Sequence, residues 1–204
     1  FTYVNGTLGV TKAMLTATAS NASRVYGDAN PALTVSYSGF KNSETSAVID
    51  TAATASSAAN ATSNVGSYAT TAAGASDGNY NFTYVDGTLT INKATLTATA
   101  SSASRVYGDA NPALTVSYSG FKNSETSAVI DTAATASTAA TNTSNVGSYS
   151  TIASGALDDN YTFSYVNGAL TITKAMLTVN AGNATKVYGD ANPTIGVSYT
   201  GFKN

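Results

Sequence analysis

The sequence predicts a mainly β protein made of tandem domains, and three observations support that fold class. The sequence repeats with a period of 81 residues, apolar and polar residues alternate at strand spacing, and turn residues separate the alternating segments. Only 10% of residues are charged, against ~25% in typical soluble domains. Such composition is also typical of disordered chains, but 43% of residues are hydrophobic and they alternate regularly, which indicates folded strands.

The repeat defines the domain organisation. Residues 12–92 and 93–173 are two complete copies, identical at 66 of 81 positions. Residues 1–11 match the C-terminal hairpin of a preceding copy, and 174–204 match the N-terminal part of a following one. A unit of this length exceeds the roughly 20–50 residues of a solenoid coil and can close a small core of its own. We therefore expect tandem domains arranged end to end, with neither partial copy able to bury its apolar face alone.

The first half of each repeat predicts two strands and a short helical connection. In the first copy, apolar and polar residues alternate over 15–19 and again over 33–37, which is the period of a strand with one buried face. The segment between them, 26–31, reads Tyr-Gly-Asp-Ala-Asn-Pro and is rich in turn formers. Residues 42–49 carry a serine or threonine cap candidate ahead of Ala-Val-Ile, which predicts one or two helical turns.

The second half of the repeat predicts an edge strand, a further strand and a hairpin. Residues 51–63 form an Ala/Thr/Ser/Asn tract with room for one edge strand and a loop, and 65–68 open another strand. Residues 80–85 and 88–91 flank an Asp-Gly pair, the strongest short signal for a hairpin with a type I′ turn. The predicted domain is therefore mainly antiparallel. We interpret it as β-grasp-like, with an immunoglobulin-like sandwich as the alternative and an α+β class still open.

The joint between repeats contains no flexible spacer. The apolar pattern of 89–91 runs through Asn92, Lys93 and Ala94 into the first strand of the next copy, without a segment rich in Pro, Gly or Ser. We expect this joint to hold neighbouring repeats stiffly in line, with an advance of roughly 30–40 Å per repeat.

The alternating positions predict a core in each complete repeat, with matching positions 81 residues later. In the first copy the predicted core residues are Leu15, Tyr26, Leu33, Val35, Tyr37, Phe40, Ile49, Val65, Tyr68, Tyr80, Phe82, Tyr84, Leu89 and Ile91.

Composition excludes several classes of function. The chain has no Cys, His or Trp, which removes disulfides, thiolate chemistry and the usual ligands of zinc, copper and haem. Its net charge is −2 and it has no basic stripe, so we predict no nucleic-acid partner. No run approaches the ~20 apolar residues of a membrane span. Without a His base or a distinct carboxylate pair, we expect a protein that is not an enzyme, with no catalytic residue and no cofactor.

Two groups of residues have both a functional and a structural interpretation. The turn at 26–31 could contact a ligand, but we favour a structural turn in which Gly27 supplies an unusual φ, Asp28 makes an Asx-turn and Pro31 fixes the start of the next strand. We further expect Asp28 to pair with Arg24, and the same pairing at the equivalent positions, Arg105 and Lys186.

Four aspartates are candidate calcium ligands: Asp50, Asp77, Asp158 and Asp159. Calcium needs six to eight oxygens, usually from closely spaced acids, so we favour solvated turn residues and assign no metal site. An isopeptide crosslink would use Lys12 or Lys41 with Glu44 as the buried carboxylate, and an intact mass equal to that of the uncrosslinked sequence would exclude it.

Several short sequence motifs, in a fixed order over essentially the whole chain, resemble the MBG repeats of the YGX type. They are Val-Tyr-Gly-Asp-Ala-Asn-Pro at 25–31, Leu-Thr-Val-Ser-Tyr-Ser-Gly-Phe at 33–40, Asn-Val-Gly-Ser-Tyr at 64–68, Asn-Tyr at 79–80 and Gly-Thr-Leu-Thr-Ile at 87–91. Such repeats occur in large bacterial surface and two-partner-secreted adhesins, including filamentous-haemagglutinin-like exoproteins. The resemblance implies an extracellular location, a tandem stalk, a β-grasp-like or sandwich-like domain and no catalytic residues.

The resemblance leads to two expected functions. The first is a structural stalk or fibre-forming region of a secreted bacterial adhesin, acting in cell adhesion or in the biofilm matrix. Its partners would be the neighbouring repeats of the same chain and like molecules in a fibre. The alternative is a binding module in which each repeat contacts mucin or polysaccharide, as is attributed to relatives, although no ligand-binding residue set is evident in this sequence.

Overall fold

The computed structural model describes residues 1–203 and is mainly β, as predicted, with small sheets repeated along the chain. It divides into two compact units. The first comprises residues 1–94 together with 121–126 and 159–162, and the second comprises the rest of the described chain. The unit boundaries therefore fall close to the repeat boundary, but two segments of the second sequence repeat belong to the first unit.

The first unit contains two small sheets. Its strands are β1 (Ala13–Ala19), β2 (Ala22–Val25), β3 (Val35–Ser38), β4 (Thr54–Ser57), β5 (Gly66–Ala73), β6 (Tyr80–Val85) and β7 (Gly87–Asn92). One sheet has the order β3-β1-β6 and the other β2-β7-β5-β4. The two sheets contact each other through β5, which lies against β1 and β6. A single 3₁₀ turn at Ser46–Val48, capped by the Thr45 side chain, is the predicted short helical connection.

The predicted hairpin across Asp86 and Gly87 is wrong, because the two strands that flank Gly87 lie in different sheets. Strand β6 pairs in parallel with β1, with Phe82 opposite Leu15, whereas β7 pairs in parallel with β2. The chain thus passes from one sheet to the other at Asp86, just as it does between β1 and β2. The domain is consequently of mixed strand direction, with three antiparallel and two parallel strand pairs.

A close approach of two chain segments explains the glycine at this crossing. Gly87 is not in the left-handed region of backbone conformation. A Cβ atom on Gly87 would lie 2.5 Å from the carbonyl oxygen of Ala19, 2.7 Å from that of Ser20 and 2.6 Å from Oγ1 of Thr70. The buried Thr70 hydroxyl in turn donates to the Ser20 carbonyl over 2.8 Å. The Asp-Gly pair therefore reports crowding between the sheets and not a type I′ turn.

The core of the first unit lies on β1, β5 and β7, and prediction found part of it. The predicted residues that are buried are Leu15, Tyr26, Tyr80, Leu89 and Ile91. Eight more are half-buried, namely Leu33, Val35, Tyr37, Phe40, Ile49, Val65, Tyr68 and Phe82. The assignment of Tyr84 is wrong: its side chain is 38% exposed near the end of β6, and its hydroxyl accepts from the Ala75 amide. Small residues outside the predicted core list complete the core: Ala17 and Ala19 on the predicted apolar face of β1, together with Ala59, Thr70 and Ala72.

The second unit repeats this architecture. The strands that follow β7 are β8 (Ala94–Ala100), β9 (Ala103–Val106), β10 (Val116–Ser119), β11 (Thr135–Thr138), β12 (Gly147–Ser154), β13 (Tyr161–Val166), β14 (Gly168–Thr173), β15 (Thr178–Ala181) and β16 (Val197–Thr200). The sheets are β10-β8-β13, β11-β12-β14-β9 and the pair β15-β16. Leu96, Leu170 and Ile172 are buried as predicted, whereas both strands of the last pair are exposed. Residues 1–12 form no strand and are likewise exposed.

Candidate functional site

The turn that follows β2 is the most distinctive local structure of the repeat. Gly27 adopts a φ of +81°, as predicted, and the Asp28 amide donates to the Val25 carbonyl over 3.1 Å. The same hydrogen bond closes the turn in the two later copies, where Gly108 and Gly189 have φ values of +83° and +89°. The sequence Tyr-Gly-Asp therefore folds to the same local turn at all three places.

A buried arginine holds this turn against a neighbouring loop. Arg24, on the inward face of β2, donates from Nε to Oδ1 of Asn30 over 2.8 Å and from Nη1 to the Val25 carbonyl over 3.1 Å. Its Nη2 donates to the Asn60 carbonyl. Asn30 completes the clamp by donating from Nδ2 to the Ala59 carbonyl over 2.6 Å. The expected ion pair between Arg24 and Asp28 is wrong, because the buried guanidinium is taken up by neutral oxygens within the turn and the loop.

The second unit contains the same clamp. Arg105 donates to Oδ1 of Asn111 over 2.7 Å, to the Val106 carbonyl over 3.2 Å and to the Thr141 carbonyl. Asn111 donates to the Ala140 carbonyl over 2.6 Å. The third partner changes from Asn60 to Thr141, but because the contact is to main-chain oxygen, the substitution leaves it intact.

Replacement of Arg24 by alanine should lower the free energy of unfolding of the first unit by ~1–3 kcal/mol, because Asn30 and two carbonyls lose a charged donor. Urea unfolding combined with hydrogen exchange of peptides around residues 22–31 measures this effect. The matched control is Lys186→Ala, at the equivalent position of the third copy, where the side chain is exposed and little change is expected. Equal losses in both variants would contradict the structural role of the clamp.

Residues 121–126 and 159–162 cover the first turn within the first unit. The Tyr26 hydroxyl donates to Oε1 of Glu125 over 2.6 Å, and the Tyr161 hydroxyl donates to Oε2 of the same carboxylate over 2.6 Å. The two tyrosine rings meet edge to face, with centroids 5.5 Å apart and an interplanar angle of 82°. The Lys122 amide donates to the Tyr161 hydroxyl over 2.8 Å. One carboxylate thus joins two aromatic side chains from neighbouring sequence repeats.

Lys122 makes the second contact to the same turn. Its Nζ lies 2.9 Å from Oδ1 of Asp28, with the lysine 37% and the aspartate 48% exposed. An exposed pair of this kind contributes only ~0–1 kcal/mol. The aliphatic stem of Lys122 packs so closely on Gly27 that a Cβ atom there would clash with it. In the second unit Lys203 and Asp109 repeat the ion pair at 2.7 Å, and the Lys203 stem covers Gly108.

Comparison with protein-family models matches the chain to the MBG domain of the YGX type over residues 15–90, 96–171 and 177–204. The chain belongs to this family. The resemblance drawn from the sequence phrases is thereby confirmed, and so is the tandem-repeat character of the chain. No curated protein matches the chain. Within the described residues, no helix of this MBG protein is long and apolar enough to cross a membrane.

The environment of Tyr161 in the MBG repeat predicts alkaline sensitivity. Burial, followed by the hydrogen bond to Glu125, raises the pKa of the Tyr161 hydroxyl above its ordinary value of about 10. Because the unfolded chain releases this proton at lower pH than the folded chain, its contribution to stability is intact below pH ~10 and is lost as the pH rises further. Urea unfolding at stepped alkaline pH should show this loss, with a shallower decline in Tyr161→Phe. A decline as steep in Tyr161→Phe as in the exposed control Tyr3→Phe would contradict the assignment.

The aspartates considered as calcium ligands lie in turns of the MBG repeat. Oδ1 of Asp77 accepts from the amides of Asn79 and Tyr80 over 2.7 and 3.0 Å, and Oδ2 of Asp50 accepts from the Gly78 amide over 2.9 Å. In the first repeat, an isolated β-bridge between Thr51 and Ser76 comes directly before Asp77. In the second repeat, the equivalent bridge between Thr132 and Leu157 comes directly before Asp158, the counterpart of Asp77, and Asp159. Residues 1–203 contain no group of three or more acidic side chains placed to hold a metal ion.

The isopeptide candidates come together in one place. Lys12, Lys41 and Glu44 line the same cavity of the first unit. The Lys12 ammonium group donates to the main-chain oxygen of Asp77 over 2.8 Å, and Oε2 of Glu44 accepts from the Tyr80 hydroxyl over 2.6 Å.

Sequence reasoning did not find the contact of Glu125 with two tyrosines. The available signal was the constant spacing of Lys, Glu and Tyr relative to the Tyr-Gly-Asp turn.

Proposed function

We propose that this MBG region is a structural spacer of a secreted bacterial surface adhesin, as the stalk or as the body of an extracellular fibre. The observation that carries the proposal is the recurrent contact on the Tyr-Gly-Asp turn. The pair Asp28–Lys122 and the pair Asp109–Lys203 are separated by one repeat length and have nearly the same geometry. The same residues bind the neighbouring repeat in successive copies. Contacts of this kind suit a tandem array that acts as a spacer, because the number of repeats then sets its length.

The polar side chains of the repeat support a role without catalysis. Arg24, Asn30 and Asp77 all bond to main-chain groups of their own domain and stabilise turns. Tyr68 and Tyr149, which would favour a glycan-binding module if they formed an exposed cluster, are half-buried and donate their hydroxyls to the carbonyls of Asn64 and Asn145. This use of the hydroxyls favours the spacer over the mucin or polysaccharide receptor.

In-frame removal of residues 12–92 tests the spacer. The deletion joins Thr11 to Lys93, and because Thr11 occupies the repeat position of Asn92, the frame of the remaining copies is unchanged. A spacer should still be exported, bind the same surfaces and present its tip closer to the cell, by roughly 30–40 Å. Antibodies to the remaining copy should label intact cells, with immunogold distances to the envelope as the readout.

Three outcomes distinguish the alternatives. Labelling that requires cell lysis would overturn the extracellular assignment. A loss of adhesion in proportion to the number of repeats, with unchanged reach, would identify a binding module. Retention of the purified chain on a panel of mucins and polysaccharides, abolished by Tyr68→Ala but not by Tyr3→Ala, would locate that module on the repeat.

A further inference from the structure

The chain crosses between the two sheets of the second complete repeat at Asn167 and Gly168. Strand β13 ends at Val166 in one sheet, and β14 begins at Gly168 in the other. Asn167 is exposed, and Gly168 is half-buried. Asparagine is a thermolabile residue, and it reacts fastest when glycine follows, because glycine has no Cβ atom to hinder the approach of its own nitrogen. The crossing therefore contains a pair of residues that is chemically labile in an unfolded chain.

The reaction of such a pair is deamidation, and its only co-reactant is water. The main-chain nitrogen of Gly168 attacks Cγ of Asn167, which forms a five-membered succinimide ring. The Cγ–Nδ2 bond breaks, and ammonia leaves with the proton of the Gly168 amide. Water then opens the ring at either carbonyl carbon. One opening gives aspartate, and the other gives isoaspartate, in which the main chain runs through Cβ and is one atom longer.

The folded crossing leaves no room for ring closure, which has to turn the peptide group between Asn167 and Gly168. A Cβ atom on Gly168 would lie 2.5 Å from the carbonyl oxygen of Ala100 and 2.6 Å from that of Ser101. The fully buried Thr151 hydroxyl lies 2.6 Å from the same point and donates to the Ser101 carbonyl over 2.7 Å. Because main-chain and buried atoms confine Gly168, the pair reacts only when the crossing opens.

The isoaspartyl product does not fit the crossing either. Gly168 is in register with Thr151 of β12, and the next amide, that of Ala169, donates to Oγ of Ser102 over 3.1 Å. The strand register thus begins directly after Asn167, and the buried face of β14 fixes it. One additional main-chain atom at this position would push Gly168 into the opposite carbonyls or move β14 out of register.

The first unit shows that the other product, aspartate, does fit. Asp86 occupies the equivalent position, and the following Gly87 would meet the carbonyl oxygens of Ala19 and Ser20 at 2.5 and 2.7 Å if it carried a Cβ atom. The two crossings are therefore equally tight, and one of them already contains an aspartate. Asp86 also lacks the fast reaction, because its negative charge disfavours attack by nitrogen and it has no ammonia to release.

We propose that Asn167 is a site of spontaneous deamidation that is closed in the folded second unit and opens on unfolding, and that its isoaspartyl product prevents this unit from refolding. Unfolding of the second unit thus leaves a chemical record and becomes irreversible, whereas the first unit, with Asp86, refolds. This inference does not depend on the spacer role or on the location of the protein. Failure of either one leaves the other unchanged.

Peptide mapping of the full chain during incubation at mildly alkaline pH tests the protection. Deamidation replaces NH by O in the peptide mass, and fragment ions distinguish aspartate from isoaspartate. Asn5, which is exposed and lies outside any strand, also stands between valine and glycine and serves as the internal clock. In the folded chain, Asn167 should deamidate at least about tenfold more slowly than Asn5, because its reaction requires local opening. In concentrated urea, the two rates should be equal.

Core variants show whether opening of the second unit controls the reaction. Ile172→Ala weakens β14, on which Gly168 lies, and should bring the deamidation rate of Asn167 close to that of Asn5. Ile91→Ala is the matched control, since it makes the same truncation in the first unit and should leave the rate at Asn167 unchanged. An Asn167 rate that responds to neither variant would contradict the proposal.

Refolding tests the second half of the proposal. After ageing in urea and dilution, chains with isoaspartate at 167 should show no hydrogen-exchange protection in peptides from β12 and β14, while peptides from β5 and β7 recover. The Asn167→Asp chain, aged in the same way, should recover protection in both units. The proposal is overturned if Asn167 of the folded chain deamidates as fast as Asn5, or if isoaspartyl chains regain a fully protected β14.

Discussion

Replacement of Ile91 by alanine is expected to lower the free energy of unfolding of the first unit by ~2–5 kcal/mol. The Ile91 side chain is 1% exposed, and its strand β7 lies between β5 and β2, with Gly66 and Arg24 as its register partners. Truncation would leave a cavity on the buried face of β7, which collapse cannot readily fill. Urea unfolding gives the total loss, and hydrogen exchange of peptides from β5 and β7 assigns it to the first unit.

Two variants make this expectation specific. Val85→Ala, at a 43% exposed position two residues before β7, should change stability by no more than about 0.5 kcal/mol. Ile172→Ala, the equivalent core position of β14, should accelerate exchange in the second unit. A near-neutral Ile91→Ala variant would show that β7 does not form the core.

A methyl group at Gly87 should destabilise the first unit by about 3 kcal/mol, because overpacking against the main chain has no easy relief. The added Cβ atom would meet two carbonyl oxygens of the opposite crossing and the buried Thr70 hydroxyl at 2.5–2.7 Å. Backbone oxygens cannot swing away as the end of a flexible side chain can, so the two sheets must separate. Urea unfolding of Gly87→Ala gives the loss, and Gly168→Ala should repeat it in the second unit, where the clashes are the same.

Gly6→Ala is the matched control for that substitution. Gly6 holds the same repeat position as Gly87, also follows a residue with a carboxylate or amide side chain, and has open space around its missing Cβ atom. It should therefore leave stability unchanged. If Gly87→Ala were as harmless as Gly6→Ala, the close approach of the crossings would not determine the glycine.

Strands with clear alternation could be predicted from the sequence, and strands without it could not. The residues of β1, β3 and the start of β5 alternate apolar and polar side chains, so their period is visible. Strand β2 was missed because the side chain that it buries is Arg24, which a hydrophobic pattern counts as polar. The core alanines outside the alternating segments, Ala59 and Ala72, were missed for a related reason, since a small residue gives little indication of which way it faces.

The hairpin error and the missed site have a different physical origin. An Asp-Gly pair suits both a type I′ turn and a tight crossing, and only the pairing of β6 with β1 separates the two. The contact of Tyr26 with Glu125 joins residues that are 99 positions apart, which local periodicity does not encode. The repeat did locate both partners, because each recurs at a constant spacing, but it did not show that they meet.

The two parallel strand pairs, β1 with β6 and β2 with β7, determine how tension would act on a domain of this kind. A load carried along the chain enters at Ala13, the start of β1, and leaves at Asn92, the end of β7. Because β1 runs beside β6, and β2 beside β7, in the same direction, pulling the two ends apart slides each strand along its partner. The ladder bonds are then strained in shear and must break together, whereas a hairpin pulled open at one end would unzip bond by bond. The rate of forced unfolding should accordingly be slow, a property that follows from strand direction and needs no additional stability.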